Sequence, residues 1–122
     1  MSKQLDKLID KIRTRPETVD FQEVIDVIDK HYIYTPSSFT NGPNDTAVIN
    51  SPGENEGSCK IFSFAQINKL DQMQTLNCFG SYYRNDVVNN PGAEDHANIR
   101  TFMKYGWDHV SFESEALKRK SM

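Results

Sequence analysis

Asp20-Phe21-Gln22-Glu23-Val24-Ile25-Asp26-Val27-Ile28-Asp29-Lys30-His31-Tyr32 decides the reading of the fold. Phe21, Val24, Ile25, Ile28 and Tyr32 recur at helical period, and Asp20 with Glu23 has the spacing of a capping box, Asp standing for the usual Ser or Thr. The pattern predicts a helix from about Phe21 to about His31. Directly after it the helical period stops. Between Ile33 and Pro52 the β-favouring Tyr34, Thr35, Phe39, Thr40, Val48 and Ile49 are broken by Pro36, Asn41, Gly42, Pro43 and Pro52. This segment reads as turns with one or two short strands.

On the N-terminal side, Leu5, Leu8, Ile9 and Ile12 form one apolar stripe of a short helix, which Pro16 closes unless it starts another. On the C-terminal side, Ser58 is the expected N-cap of a helix carrying Ile61, Phe62, Phe64, Ala65 and Ile67. That helix is apolar around most of its circumference, which predicts a central position. Asp71 with Gln74 repeats the capping spacing, and Leu76, Phe79, Tyr83 and Val87 trace the next helix as far as Pro91 and Gly92. Gly80 inside it costs about 1 kcal/mol relative to Ala, so it marks close packing. Asp95 with Asn98 starts a further helix holding Ile99, Phe102 and Met103; Gly106 is its expected αL terminus, with Trp107 folded back onto the last turn. Val110 to Phe112 is a candidate short strand, and Glu113 to Met122 reads as a frayed tail. The expected fold is α+β and predominantly helical, four or five helices around Phe62, Phe64, Phe79, Ile99, Phe102 and Trp107, with a small β-sheet or hairpin. An all-α fold is the alternative.

A chain of 122 residues is expected to form a single domain over 1–122. Fourteen basic against seventeen acidic side chains give a net charge of −3, which offers no drive toward nucleic acid or an anionic membrane. Lys118-Arg119-Lys120, following Glu113 and Glu115, is too short for a nucleic-acid patch. No apolar run approaches a membrane span, and the charged, helical N-terminus is unlike a secretory signal. Cys59 and Cys78 form no C-x-x-C pair and no zinc spacing, so a reduced, cytoplasmic protein without metal or cofactor is expected. Gly53 to Lys60 has the look of a phosphate loop, but Lys60 comes too late and no Ser or Thr follows it. Glu54, Glu56, Asp95 and His96 offer metal donors without any ligand spacing on a helix.

Two constellations carry candidate chemistry. With Ser58 as cap, Cys59 takes the first helical position, where the dipole and Lys60 favour thiolate while Glu54 and Glu56 oppose it. His96, just after the presumed cap Asp95, sits where the dipole favours the neutral imidazole that a general base needs. Cys59 and His96, with Asn98 or Asp95 orienting the ring, would form a thiol–imidazole pair for acyl or amide chemistry, hydrolase or transferase. The alternative for Cys59 is a small buried residue of a central helix. The second constellation is the polar set Asn55, Ser58, Lys60, Tyr82, Arg84, Asp95, Asn98 and Arg100. Arg84 and Arg100 suit bidentate contact with a carboxylate or phosphate, and helix starts at Ser58 and Asp95 facing one cavity would add N–H donors. The competing reading is a structural network pairing both arginines with Asp86, Glu94 or Asp95. The expected function is a small binding or interaction module with a polar pocket for an anionic metabolite or an acidic motif of a partner protein.

Phe39-Thr40-Asn41-Gly42, Asn55 to Lys60, Thr75 to Arg84, Asp95 to Phe102 and Gly106-Trp107 together resemble the HopJ type III effector family, over about Phe21 to Phe112. The resemblance implies a bacterial protein and, by the family's name, secretion into a host cell as an alternative to a cytoplasmic role. It implies no reaction and no catalytic residue. The amphipathic helix over Leu5 to Ile12 is unlike the polar, poorly ordered signals of type III substrates, which favours cytoplasmic residence. The segment between Gly42 and Gly53 is longer than the family pattern and leaves the strand pairing there open.

Overall fold

The computed structural model describes residues 3–120. Helix α1 (Lys3–Thr14) buries Leu5, Leu8 and Ile12, as its stripe predicts. Pro16 opens a single 3-10 turn over Pro16–Thr18. α2 spans Phe21–His31 and begins at the expected capping box, where Asp20 N–H donates to Glu23 Oε2 at 2.9 Å. The same Glu23 carboxylate pairs with Lys11 Nζ at 2.9 Å and ties α1 to α2.

β1 (Tyr32–Tyr34) follows α2 without a loop and pairs antiparallel with β5 (Leu117–Arg119). β2 (Phe39–Asn41) lies between β3 (Val48–Asn50) and β4 (Val110–Phe112), both antiparallel to it. The two sheets are one interrupted ribbon. Tyr32 faces Arg119 and Phe39 faces Phe112, so both strands advance seven residues between the sheets and the register is kept. Thr35 N–H to the Ala116 carbonyl at 2.8 Å and Glu113 N–H to the Ser38 carbonyl at 3.1 Å continue the pairing through the gap. The ladder breaks at Pro36, which has no N–H to give. The frayed tail expected from Glu113 onward is thereby corrected: Ala116 and Leu117 are buried and β5 closes the ribbon, an apolar pair in a charged segment outweighing its polarity. Ser121 and Met122, placed in the same tail, lie outside the described residues.

α3 (Glu56–Ile67) is the central helix its composition predicts, with Cys59, Ile61, Phe62, Ser63, Phe64 and Ala65 all buried. Phe62 is the hub of the core. Its ring centroid lies 5.0 Å from Phe102, 5.5 Å from Phe79, 6.0 Å from Phe39 and 6.1 Å from Trp107. Aromatic pairs at such spacing add to the area they bury.

The helix expected from Asp71 to Pro91 is two pieces. α4 (Gln72–Asn77) has its capping box, with Gln74 N–H donating to Asp71 Oδ1 at 2.8 Å. Gly80 then takes φ +59°, and a Cβ there would lie 2.6 Å from the Phe21 nitrogen. Close packing against the start of α2 is what this glycine serves, and its left-handed backbone ends the helix. The chain resumes as a π-helical segment, Tyr82–Val87, in which Val88 N–H reaches the Tyr83 carbonyl at 3.0 Å. α5 spans Ala97–Tyr105. Gly106 ends it at φ +67°, ψ −155°, a region for glycine alone and not the αL expected. Trp107 folds back as predicted, 5.0 Å from Phe102, and donates its Nε1–H to the Leu70 carbonyl at 3.1 Å. The whole is α+β and mostly helical. Among the described residues no helix is long and apolar enough to cross a membrane.

Candidate functional site

Both helix starts implicated by the sequence are displaced. α3 begins at Glu56, with Asn55 as its N-cap, so Ser58 lies in the first turn and is not the cap. α5 begins at Ala97 with His96 as N-cap, so Asp95 lies outside the helix. The physical reason is the same at both ends. Asn55 and His96 each adopt a left-handed backbone, at φ +49° and +52°, and neither side chain caps its helix. Asn tolerates that conformation well.

The side chain of Asn55 is engaged elsewhere. Its Nδ2 donates to Asn50 Oδ1 at 2.7 Å, and the same oxygen accepts from Asn98 Nδ2 at 2.9 Å. Asn98 Oδ1 in turn accepts from Asn41 Nδ2 at 3.1 Å and Asn50 Nδ2 at 3.2 Å. Asn41, Asn50 and Asn98 are buried, and Asn41 Oδ1 is left without a partner. This four-asparagine network runs from β2 and β3 to the first turns of α3 and α5. It sets the two helix starts side by side.

Between them lies a pocket of about 200 Å³ lined by Asn55, Ser58, His96, Ala97, Asn98 and Ile99. The first intrahelical bonds are Cys59 N–H to the Asn55 carbonyl and Arg100 N–H to the His96 carbonyl. The N–H groups of residues 56–58 and 97–99 precede them and have no acceptor within their helices. Paired helix N-termini place partial positive charge at one spot. On the rim, His96 Nε2 lies 3.2 Å from Asp86 Oδ2 and 3.9 Å from Asp95 Oδ2, and its ring is 5.4 Å from that of Tyr82. Tyr82 stands edge-on to Phe21 at 5.1 Å. Gly57 lets that ring approach: a Cβ there would meet Phe21 Cζ at 2.9 Å.

Of the residues singled out in the sequence, Asn55, Ser58, His96 and Asn98 line this pocket, and Tyr82 and Asp95 flank His96. Cys59 is not in it. The thiol is 1% exposed, points to the Ser37 carbonyl at 3.9 Å, and is pushed up in pKa by burial. Because α3 starts three residues earlier than expected, Cys59 falls beyond the free N–H groups that would have favoured thiolate. Lys60 pairs with Asp29 at 2.8 Å and lies over the Tyr34 ring. Arg84 gives its hydrogen bonds to Pro16, Val19 and Asn77, holding the turn before α2 against α4. Arg100 bonds the Asn90 carbonyl and the Asp95 carboxylate, both at 2.8 Å, and that ion pair holds the Asp95 carboxyl below its ordinary pKa. Arg100 thus pairs with Asp95 as the competing reading expects, whereas Arg84 bonds main-chain carbonyls and the Asn77 side chain in place of an acid. Asn41 and Asn50 were not singled out as site residues. The available signal was an Asn closing each strand, where β propensity disfavours it. No group of three or more His, Cys, Asp or Glu among the described residues is gathered where it could hold a metal ion.

The fold and pocket define a small α+β protein with a polar site built on two helix starts. The chain belongs to the HopJ type III effector protein family, which it matches over residues 5–117. It is also similar to a solved structure described as the crystal structure of unknown function protein VPA0580. The two share 43% identity and a TM-score of 0.92, over 98% of this chain and 97% of that chain. No curated protein matches.

Proposed function

We propose that the protein is a small binding module whose pocket between α3 and α5 takes an anionic group, a carboxylate or phosphate, presented by a metabolite or by an acidic motif on a partner protein. The observation that carries this reading is the opening of two helix N-termini, neither capped by its own side chain, onto one pocket. Anions at helix N-termini gain from both the dipole and the free N–H donors. His96 adds a ring nitrogen at the rim, and Ser58 adds a hydroxyl. Residence in the bacterial cytoplasm is part of the proposal, supported by α1, whose buried stripe makes the N-terminal segment part of the core. Burial of Cys59 speaks against the thiol–imidazole alternative.

The test is a titration of the 15N-labelled protein with inorganic phosphate and, separately, acetate. Saturable amide shifts confined to residues 55–58 and 96–99 are expected. Shifts that are absent, or that grow linearly across the whole surface, would overturn the reading.

A further inference from the structure

The two ring nitrogens of His96 stand in different surroundings. Nε2 lies 3.2 Å from Asp86 Oδ2 and 3.9 Å from Asp95 Oδ2, so both carboxylates gather on one side of the imidazole. Nε2 therefore carries the proton and donates it in a hydrogen bond to Asp86, which leaves the lone pair on Nδ1. Nδ1 does not cap α5 and, among the described residues, makes no hydrogen bond. It is not sealed off either: among the described residues, the buried side-chain nitrogens and oxygens without a partner are Tyr34 Oη and Asn41 Oδ1. The His96 side chain is 27% exposed. An imidazole whose far N–H is held by a carboxylate is more basic and more nucleophilic at its free nitrogen.

What lies beside that nitrogen decides which group it would hold. His96 is the N-cap of α5 and lines the pocket together with Ser58, so a group bonded to Nδ1 stands next to unpaired N–H donors and a hydroxyl. An acyl group would offer them one oxygen, whereas a phosphoryl group offers three and carries negative charge. The nearby acids do not oppose it strongly. Asp95 is paired with Arg100 at 2.8 Å, and Asp86 faces the opposite edge of the ring. We propose that His96 is a phosphoryl acceptor, taking the group at Nδ1 from a donor of the phosphoramidate class, such as a phosphohistidine on a partner protein. This rests on the anion reading of the pocket and names its anion. The Nδ1 lone pair attacks phosphorus, and a P–Nδ1 bond forms as the P–N bond of the donor breaks. The leaving nitrogen departs with that electron pair and with the proton it already carries. The Nε2 proton stays in place, and Asp86 balances the positive charge that the ring gains. One P–N bond replaces another, so the transfer is near even in energy and runs in both directions.

The test is to add potassium phosphoramidate to the full chain at neutral pH and follow labelling by intact and peptide mass spectrometry. His96 is expected to gain one acid-labile phosphoryl group about tenfold faster than N-acetylhistidine in the same solution. Asp86→Asn, an isosteric change at an exposed position, is expected to slow His96 about tenfold while His31 and His109 keep their rates. His96→Asn, which suits the left-handed backbone, removes the label at that position. Labelling of His96 no faster than that of N-acetylhistidine, or unmoved by Asp86→Asn, overturns the proposal. Titration with inorganic phosphate separates this outcome from failure of the pocket itself. Amide shifts at residues 55–58 and 96–99 without fast labelling refute the acceptor role and leave the anion reading standing, whereas the absence of both removes both.

Discussion

Asn50 and Asn98 exchange both halves of their carboxamides: Asn98 Nδ2 donates to Asn50 Oδ1 at 2.9 Å, and Asn50 Nδ2 donates to Asn98 Oδ1 at 3.2 Å. The pair is buried and joins β3 to the first turn of α5. Removing one partner strands the other in a place water does not reach. Asn98→Ala is expected to cost about 1–3 kcal/mol, read as a shift in the urea midpoint. Asn50→Ala is expected to cost a similar amount, and the double variant less than the two combined, since each single change already breaks the shared pair. Additive losses would show that the two act separately.

The cysteines are expected to be inert in the folded protein. Burial raises the pKa of Cys59, and pushes that of Cys78 from its ordinary 9.0 up to about 12. Alkylation followed by peptide mass spectrometry is expected to find both protected until the protein unfolds, with His96→Ala making no difference. Fast modification of Cys59 below neutral pH, slowed by that variant, would instead revive thiol chemistry.

The same burial sets a pH dependence. The unfolded chain releases the Cys78 proton near 9, while the folded chain holds it to about 12. Folding stability from this group is therefore complete below pH 9 and lost as pH rises from 9 toward 12. Cys78→Ala is expected to flatten that part of the stability profile, measured by urea unfolding at successive pH values.

Gly80 and Gly92 form a matched test of backbone strain. Gly80 has positive φ and no room for a Cβ beside the Phe21 nitrogen, whereas Gly92 has open space. Gly80→Ala is expected to lower stability by more than about 2 kcal/mol. Gly92→Ala is expected to stay within about 0.5 kcal/mol of the parent. Equal thermal shifts would show that Gly80 is merely tolerated.

Arg84 separates frame from ligand. With its donors given to Pro16, Val19 and Asn77, Arg84→Ala is expected to cost about 2–3 kcal/mol. Phosphate shifts at residues 55–58 and 96–99 are expected to persist in the folded fraction. Their loss without a stability change would make Arg84 a ligand contact.

Local signals in the sequence carried far, and relations between distant segments did not. The capping boxes at Asp20 and Asp71, the stripe of α1, the central place of α3 and the return of Trp107 are each specified within a few residues, and each is found. Two errors share a cause. Ser58 and Asp95 carry good capping oxygens, yet Asn55 and His96 take the cap positions, because Asn50, brought up by β3, fixes Asn55 and Asn98 together. Propensity at one position does not register a hydrogen bond from another strand. The tail differs from its expected frayed state for a similar reason: β5 owes its strand to β1, more than eighty residues away. Convergence of the two helix starts on one pocket was conditional on packing that no spacing encodes.

The interrupted ribbon also bears on how the chain comes to be folded. Among the described residues β1 pairs with β5 alone, and β2, flanked on one side by β3, takes its second partner from β4, so the central helix, both helix starts of the pocket and the hub Phe62 lie inside a loop that the ribbon closes. During synthesis that loop must leave the ribosome almost entirely before its closing partner exists. Until then β1 and β2 present unpaired edges and Phe39 lacks its stacking partner Phe112. Closing a loop of this length is slow relative to forming α1 or α2, which depend on near neighbours. The last ten described residues thus act as a latch for a fold whose apolar contents were made first, and they fix the moment at which it becomes complete.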